Sequence, residues 1–137
     1  GSDRHLYEHE SGFDDGSTVP ASAITSRIES SQMSLGDGDQ FAFLSRIIPD
    51  ITFRNSTTTT PAVTFTLGVR NFPGGQYLNT DASSIGKTSS VPVEQFTTEV
   101  RTRLRGRSFN LKIESTETEM GWRLGTPRVE VRPDGRR

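Results

Sequence analysis

Along this chain apolar residues recur mainly at alternate positions, the period of a half-buried strand rather than of a helix. The segment from Ala62 to Arg70 carries the clearest signal, with Val63, Phe65, Leu67 and Val69 pointing one way and Thr64, Thr66, Gly68 and Arg70 the other. Such alternation predicts an antiparallel strand with one face in the core and one in water. Phe41 to Ile48 reads as another strand, with Phe41, Phe43, Ser45 and Ile47 on one face and Ala42, Leu44 and Ile48 on the other, before Pro49-Asp50 interrupts it. Beyond Pro92 a further alternation sets Phe96, Thr98, Val100, Thr102 and Leu104 against Thr97, Glu99, Arg101, Arg103 and Arg105. After Gly106 the parity switches to Phe109, Leu111 and Ile113, so one residue has been inserted. A glycine bulge within one long strand is expected there, because Arg-Gly is a poor two-residue hairpin turn beside Asn-Gly.

Shorter elements fill the remainder. Ile24 and Ile28 lie at helical spacing, yet Thr25, Ser30-Ser31 and the Gly36-Asp37-Gly38-Asp39 turn favour a strand within Ala23 to Met33. Trp122 and Leu124 make a short strand, and Val129 and Val131 follow after the break at Gly125 to Pro127. Residues 1–22, rich in Gly, Ser and acids, are expected to form an extended arm ahead of a single β domain over residues 23–137. Asn71 to Ser90, with its Pro73-Gly74-Gly75 turn, reads as a long loop, and Tyr77 and Leu78 are its candidate contact residues. The expected fold class is all-β: an antiparallel β-sandwich or similar two-layer β fold with an extended N-terminal arm and long loops.

Composition changes this picture in three ways. Hydrophobic residues make up only 30% of the 137, which allows one modest core and points to long polar turns. Cysteine is absent, so no disulfide framework or Cys-based zinc site supports the fold. No run approaches the ~18 apolar residues of a membrane span, so no membrane anchor is expected. The net charge of −1 hides an asymmetry, for residues 1–50 hold nine Asp and Glu against three Lys and Arg, while residues 51–137 hold eight against thirteen. An acidic front and a basic back suit each other within one molecule or between copies.

Chemical motifs are scarce. His5-Leu6-Tyr7-Glu8-His9 matches the H-x-x-E-H pattern of one class of zinc proteases, but that pattern needs a helix and here stands just before Gly12, Asp14, Asp15 and Gly16. Asp81 to Thr88 imitates the end of a phosphate-binding loop with Asp81 where glycine belongs, and Pro92 opposes the helix that should follow. Asp37-Gly38-Asp39 lacks the twelfth-position glutamate of a calcium loop, since Ile48 stands there. The two histidines lie within five residues of each other and no nucleophile-elbow pattern occurs. We therefore expect no catalytic residue, no metal or other cofactor and no small-molecule substrate. The sharpest electrostatic feature is the stripe Arg101, Arg103 and Arg105, which stacks positive charge on one side of a strand without aromatics interleaved in the sequence. It reads as a solvated face paired with glutamates such as Glu99 and Glu114, or as a contact with the acidic arm of a neighbouring subunit.

Several segments together carry a resemblance. They are His9-Glu10, Ile28-Glu29-Ser30, Gly36-Asp37-Gly38-Asp39, Ile47-Ile48-Pro49-Asp50, Arg105-Gly106-Arg107, Leu111 to Ser115, Trp122 to Gly125 and the ending Arg132-Pro133-Asp134-Gly135-Arg136-Arg137. In this order they resemble the C-terminal region of large virion proteins of short-tailed bacteriophages, described as tail nozzle, tail tubular or stabilisation proteins. The resemblance implies a structural part of a phage tail, located in the virion, in a ring of identical copies through which DNA leaves the particle. Its partners would be copies of itself or other tail proteins, with transient contact to DNA in the channel, and Arg101, Arg103 and Arg105 would be subunit contacts. In that family the segment closes a much longer polypeptide and supplies no catalytic residues. The alternative from another class is a carbohydrate- or receptor-binding β-sandwich module of a phage tail, with Tyr77 stacking on a sugar.

Overall fold

The computed structural model describes residues 12–16, 18–71 and 87–136, and among them there is no helix. The described residues form twelve strands, β1 to β12 in chain order, paired antiparallel throughout. The larger sheet runs β3 (Ser26–Glu29), β10 (Ser108–Ser115), β7 (Ala62–Arg70), β8 (Lys87–Glu94), with β4 (Met33–Ser34) also paired to β10. The smaller sheet runs β12 (Arg128–Pro133), β5 (Ala42–Ile48), β9 (Val100–Gly106). Two ribbons complete the set: β1 (Asp14–Asp15) with β2 (Ser22–Ala23), and β6 (Ile51–Thr52) with β11 (Arg123–Leu124).

The two larger sheets pack their apolar faces together, as the alternation predicts for an all-β fold. Val63, Phe65, Leu67 and Val69 of β7 are buried beside Leu111 and Ile113 of β10 and Val93 of β8, and the same core takes Leu44 and Ile47 from β5 and Val100 and Leu104 from β9. Each fully buried side chain of this kind contributes about 1.5–3 kcal/mol of transfer free energy, which makes this inner layer the main source of stability. Ile51, Phe53, Trp122 and Leu124 pack against it from the β6–β11 ribbon and its flanks. Trp122 Nε1 donates to Ser26 Oγ at 2.8 Å and so ties that ribbon to β3.

Three expectations require correction. Ile47 does not share a face with Phe43 and Ser45, because the register of β5 with both β9 and β12 shifts between Leu44 and Arg46. The irregularity turns Ala42, Leu44 and then Ile47 inward and leaves Phe43, Ser45 and Arg46 half-exposed. The parity switch at Gly106 is not a bulge inside one strand of one sheet. There the chain leaves the smaller sheet and enters the larger, so β9 pairs with β5 whereas β10 pairs with β7, β3 and β4. Such corners are where strands of packed sheets change layers. A Cβ at position 106 would lie 2.9 Å from both Arg70 O and Val69 Cβ, and this close crossing is why the corner holds glycine.

The third correction concerns Lys87 to Glu94. This segment is an eight-residue strand matched to β7 from Val69↔Lys87 to Ala62↔Glu94, not loop as far as Ser90. Its alternation is masked by Thr88, Ser89 and Ser90, and Pro92 is tolerated because β8 is an edge strand of its sheet. Phe96 consequently falls in the turn after β8 and is 87% exposed, rather than joining the apolar face of β9.

Candidate functional site

The pairing of β12, β5 and β9 assembles the outer face of the smaller sheet from side chains far apart in sequence. Phe43 lies opposite Arg105 on one side and Arg132 on the other, and Arg46 lies opposite Arg101 and Glu130. The result is a face carrying Arg46, Arg101, Arg103, Arg105 and Arg132 with Glu99, Glu130 and Asp134 among them. Arg46 donates to Glu99 at 3.2 Å and reaches Glu130 at 2.8 Å, while Arg101 Nε donates to Glu99 at 3.0 Å. These contacts hold the Glu99 carboxyl below its ordinary value, first through the Arg101 hydrogen bond and then through that from Arg46. Arg46 is pushed further up by the same two carboxylates, Glu99 before Glu130.

The arginine stripe divides into three environments. Arg105 is committed within the chain: its guanidinium lies 4.0 Å over the Phe41 ring, pairs through Nε with the Asp134 carboxylate, and donates through Nη2 to Asp134 O at 2.9 Å. Arg107 reinforces the same corner, 4.7 Å from the Phe41 ring and donating to Arg136 O at 3.1 Å. With the backbone bonds Phe41 N to Gly135 O and Asp134 N to Phe41 O, at 2.7 and 2.8 Å, these contacts pin residues 134–136 beside β5. Arg101 is anchored at one end by Glu99, yet its side chain is 84% exposed. Arg103 is exposed and makes no hydrogen bond or ion pair among the described residues.

Beside this stripe lies an open hollow of about 660 Å³, lined by Phe43 and Ser45 of β5, Thr88 and Ser89 of β8, and Arg101 and Arg103 of β9. It marks the seam where the edge strand of one sheet passes that of the other. The lining offers hydroxyls and guanidinium groups, and no general base stands against a nucleophile within it. Among the described residues no cluster of three metal-ligating side chains occurs.

Sequence reasoning placed Arg101, Arg103 and Arg105 on one side of a strand, and they do project from the same face of β9. It did not foresee that Arg105 is consumed internally, nor that Arg46, Arg132 and Phe43 join the face. Glu99 pairs with the stripe as expected, but Glu114 lies on β10 in the other sheet and pairs with Lys112 at 2.9 Å. Aromatic side chains do interleave with the arginines in space, since Phe43 arrives from β5 and Phe41 from the residue before it, with Arg132 5.4 Å over the Phe43 ring. The signal for that lay in the strand register, which a single sequence leaves unspecified. Tyr77 and Leu78, like His5, Glu8 and His9, lie outside the described residues.

No protein-family model matches the chain, and no curated protein matches it.

Proposed function

We propose that this chain is a non-catalytic structural component of a virion, a domain of a short-tailed phage tail, that assembles with copies of itself through the basic outer face of the β12–β5–β9 sheet. The observation that carries this reading is the partition of the arginine stripe. Arg105 is spent on holding the C-terminal segment, whereas Arg101 and Arg103 project into solvent from a folded, ordered strand. The backbone of a paired strand is already ordered, so a contact there has to fix only side chains, and arginine is favoured at protein interfaces. The run of short motifs ending in Arg132-Pro133-Asp134-Gly135-Arg136 supports the phage assignment, and part of that ending serves as the tether beside Phe41.

The test is the solution mass of the chain by light scattering across a concentration range, with and without duplex DNA. We expect mass to rise with concentration and DNA to change it little, and exchange of Arg101 and Arg103 for glutamate to lower the association. A monomer at every concentration would sink the proposal. So would association that the two exchanges leave untouched, since the basic face would then not be the contact.

A further inference from the structure

A sheet grows at its edges, and β9 is an edge whose outer side pairs with nothing among the described residues. Alternate residues of such a strand turn both N–H and C=O away from the paired neighbour, here β5, and leave a template for another strand. β8 of the other sheet runs close by, and the 660 Å³ hollow lined from β8, β9 and β5 opens beside this edge. Charged side chains on an edge ordinarily deter pairing. Arg101 and Arg103 do so against neutral or basic strands, but they would favour a strand with carboxylates two residues apart, because directly opposed residues bring their Cβ atoms to about 4.5–5.5 Å.

We propose that the free edge of β9 is a strand-addition site for an acidic, extended segment of a second copy of this chain, whose carboxylates face Arg101 and Arg103. The chain's own sequence holds a segment of that chemistry, Leu6-Tyr7-Glu8-His9-Glu10, in which Glu8 and Glu10 stand two residues apart without intervening Gly or Pro. On an added strand those two carboxylates project to one side, toward the arginines, and Tyr7 and His9 project to the other. Charge selects this occupant over nucleic acid. An acidic strand places its carboxylates at every second residue, the same repeat as Arg101 and Arg103 on β9, whereas a longer phosphate backbone would also have to pass Glu99, Glu130 and Asp134 on this face. This inference rests on the assembly reading and specifies both partners of its contact.

The test uses the full chain in charge-swapped forms. Arg101→Glu with Arg103→Glu, and separately Glu8→Arg with Glu10→Arg, should each weaken self-association by roughly tenfold or more. An equimolar mixture of the two variants should recover it, because each then offers the complement the other lacks. In parallel, a fluorescein-labelled peptide of residues 3–12 should bind the chain. N-methylation at alternate residues should abolish that binding in one of the two phases, since only alternate amides would face β9.

Association that survives both swaps, or fails to return on mixing, overturns the strand-addition site while leaving assembly itself standing. Peptide binding indifferent to N-methylation in both phases overturns it as well, and so does labelled single-stranded or duplex DNA binding to the arginines in place of the peptide. A chain that is monomeric at all concentrations removes both this inference and the assembly reading.

Discussion

Strand β7 sits between β10 and β8 in the middle of the larger sheet, whereas β9, at the rim of the smaller one, is bonded among the described residues to β5 alone. Both alternate, β7 with the exception of Gly68, which is buried although it has the outward parity. On β7 the inward positions are Val63, Phe65, Leu67 and Val69, and the outward ones include Thr64 and Thr66, with Thr66 sharing a hydrogen bond with Ser90 across the sheet at 3.0 Å. On β9 the inward positions are Val100, Thr102, Leu104 and Gly106, and every outward position from 101 to 105 is arginine. A central strand is flanked on both sides, so its inner face is filled with large apolar groups and its outer face with hydroxyls that satisfy one another. An edge strand has a side to protect or to use, and it accepts a weaker inner face in exchange for charge outside. The difference between these two strands is a difference between holding the fold and presenting a surface.

The strongest way to break that comparison is to empty the inner face of β7. Phe65 is 1% exposed at the centre of the core, and Phe65→Ala should cost about 3–5 kcal/mol in a chemical denaturation series. A loss below 1 kcal/mol would mean that β7 is not the organising strand. Next in size is the corner where β9 ends. A methyl group at position 106 meets backbone Arg70 O and Val69 Cβ at 2.9 Å, so Gly106→Ala should destabilise by about 1–3 kcal/mol even though it shortens no side chain. Unchanged stability would show that the two sheets can part slightly at the crossing.

A third change makes β9 more like β7. Thr102 is buried, and its Oγ1 has no hydrogen-bond partner among the described residues. A buried hydroxyl without a partner carries a desolvation cost, so Thr102→Val, nearly the same shape without the hydroxyl, should raise stability by about 1 kcal/mol. A fall in stability on this exchange would reveal a partner for the hydroxyl and give β9 a polar anchor that β7 lacks.

These strands also mark how far the sequence is legible. β7 is legible residue by residue, because Val63, Phe65, Leu67 and Val69 are apolar at the inward positions, Thr64, Thr66 and Arg70 are polar at outward ones, and no register shift interrupts it. On β9 the inner face from Val100 to Leu104 and the arginine stripe were equally visible, since they too follow the period of two. The face of β5 was misassigned beyond Ser45 because a register shift depends on the neighbouring strands and leaves no mark in local composition. β8 was hidden by its serines and threonine, which suit an edge but lack an apolar alternation to announce a strand. The parity switch at Gly106 is visible in the sequence, yet a change of sheet and a bulge within one sheet produce the same switch. For the candidate face, one strand's share was visible in advance and the rest required knowing which strands lie side by side.

The smallest effect separates charge from shape on the outer face of β9. Glu99 accepts from Arg101 at 3.0 Å and from Arg46 at 3.2 Å, and these bonds hold its carboxyl below the ordinary value of 4.5. A carboxyl lowered in the folded state stabilises the fold fully at pH above its unfolded value, and that stabilisation is lost as the pH falls through the lowered folded value. Glu99→Gln keeps the size of the side chain and removes the charge. Wild type should therefore be slightly more stable than Glu99→Gln at neutral pH, with the gap closing as denaturation midpoints are followed into the acid range below 4.5. Added salt should narrow the neutral-pH gap too, because the groups are exposed enough for ions to screen them. A gap that stays constant from neutral to acid pH would show that Glu99 acts through its shape, and Arg101 would then be held in place by packing rather than by the carboxylate beside it.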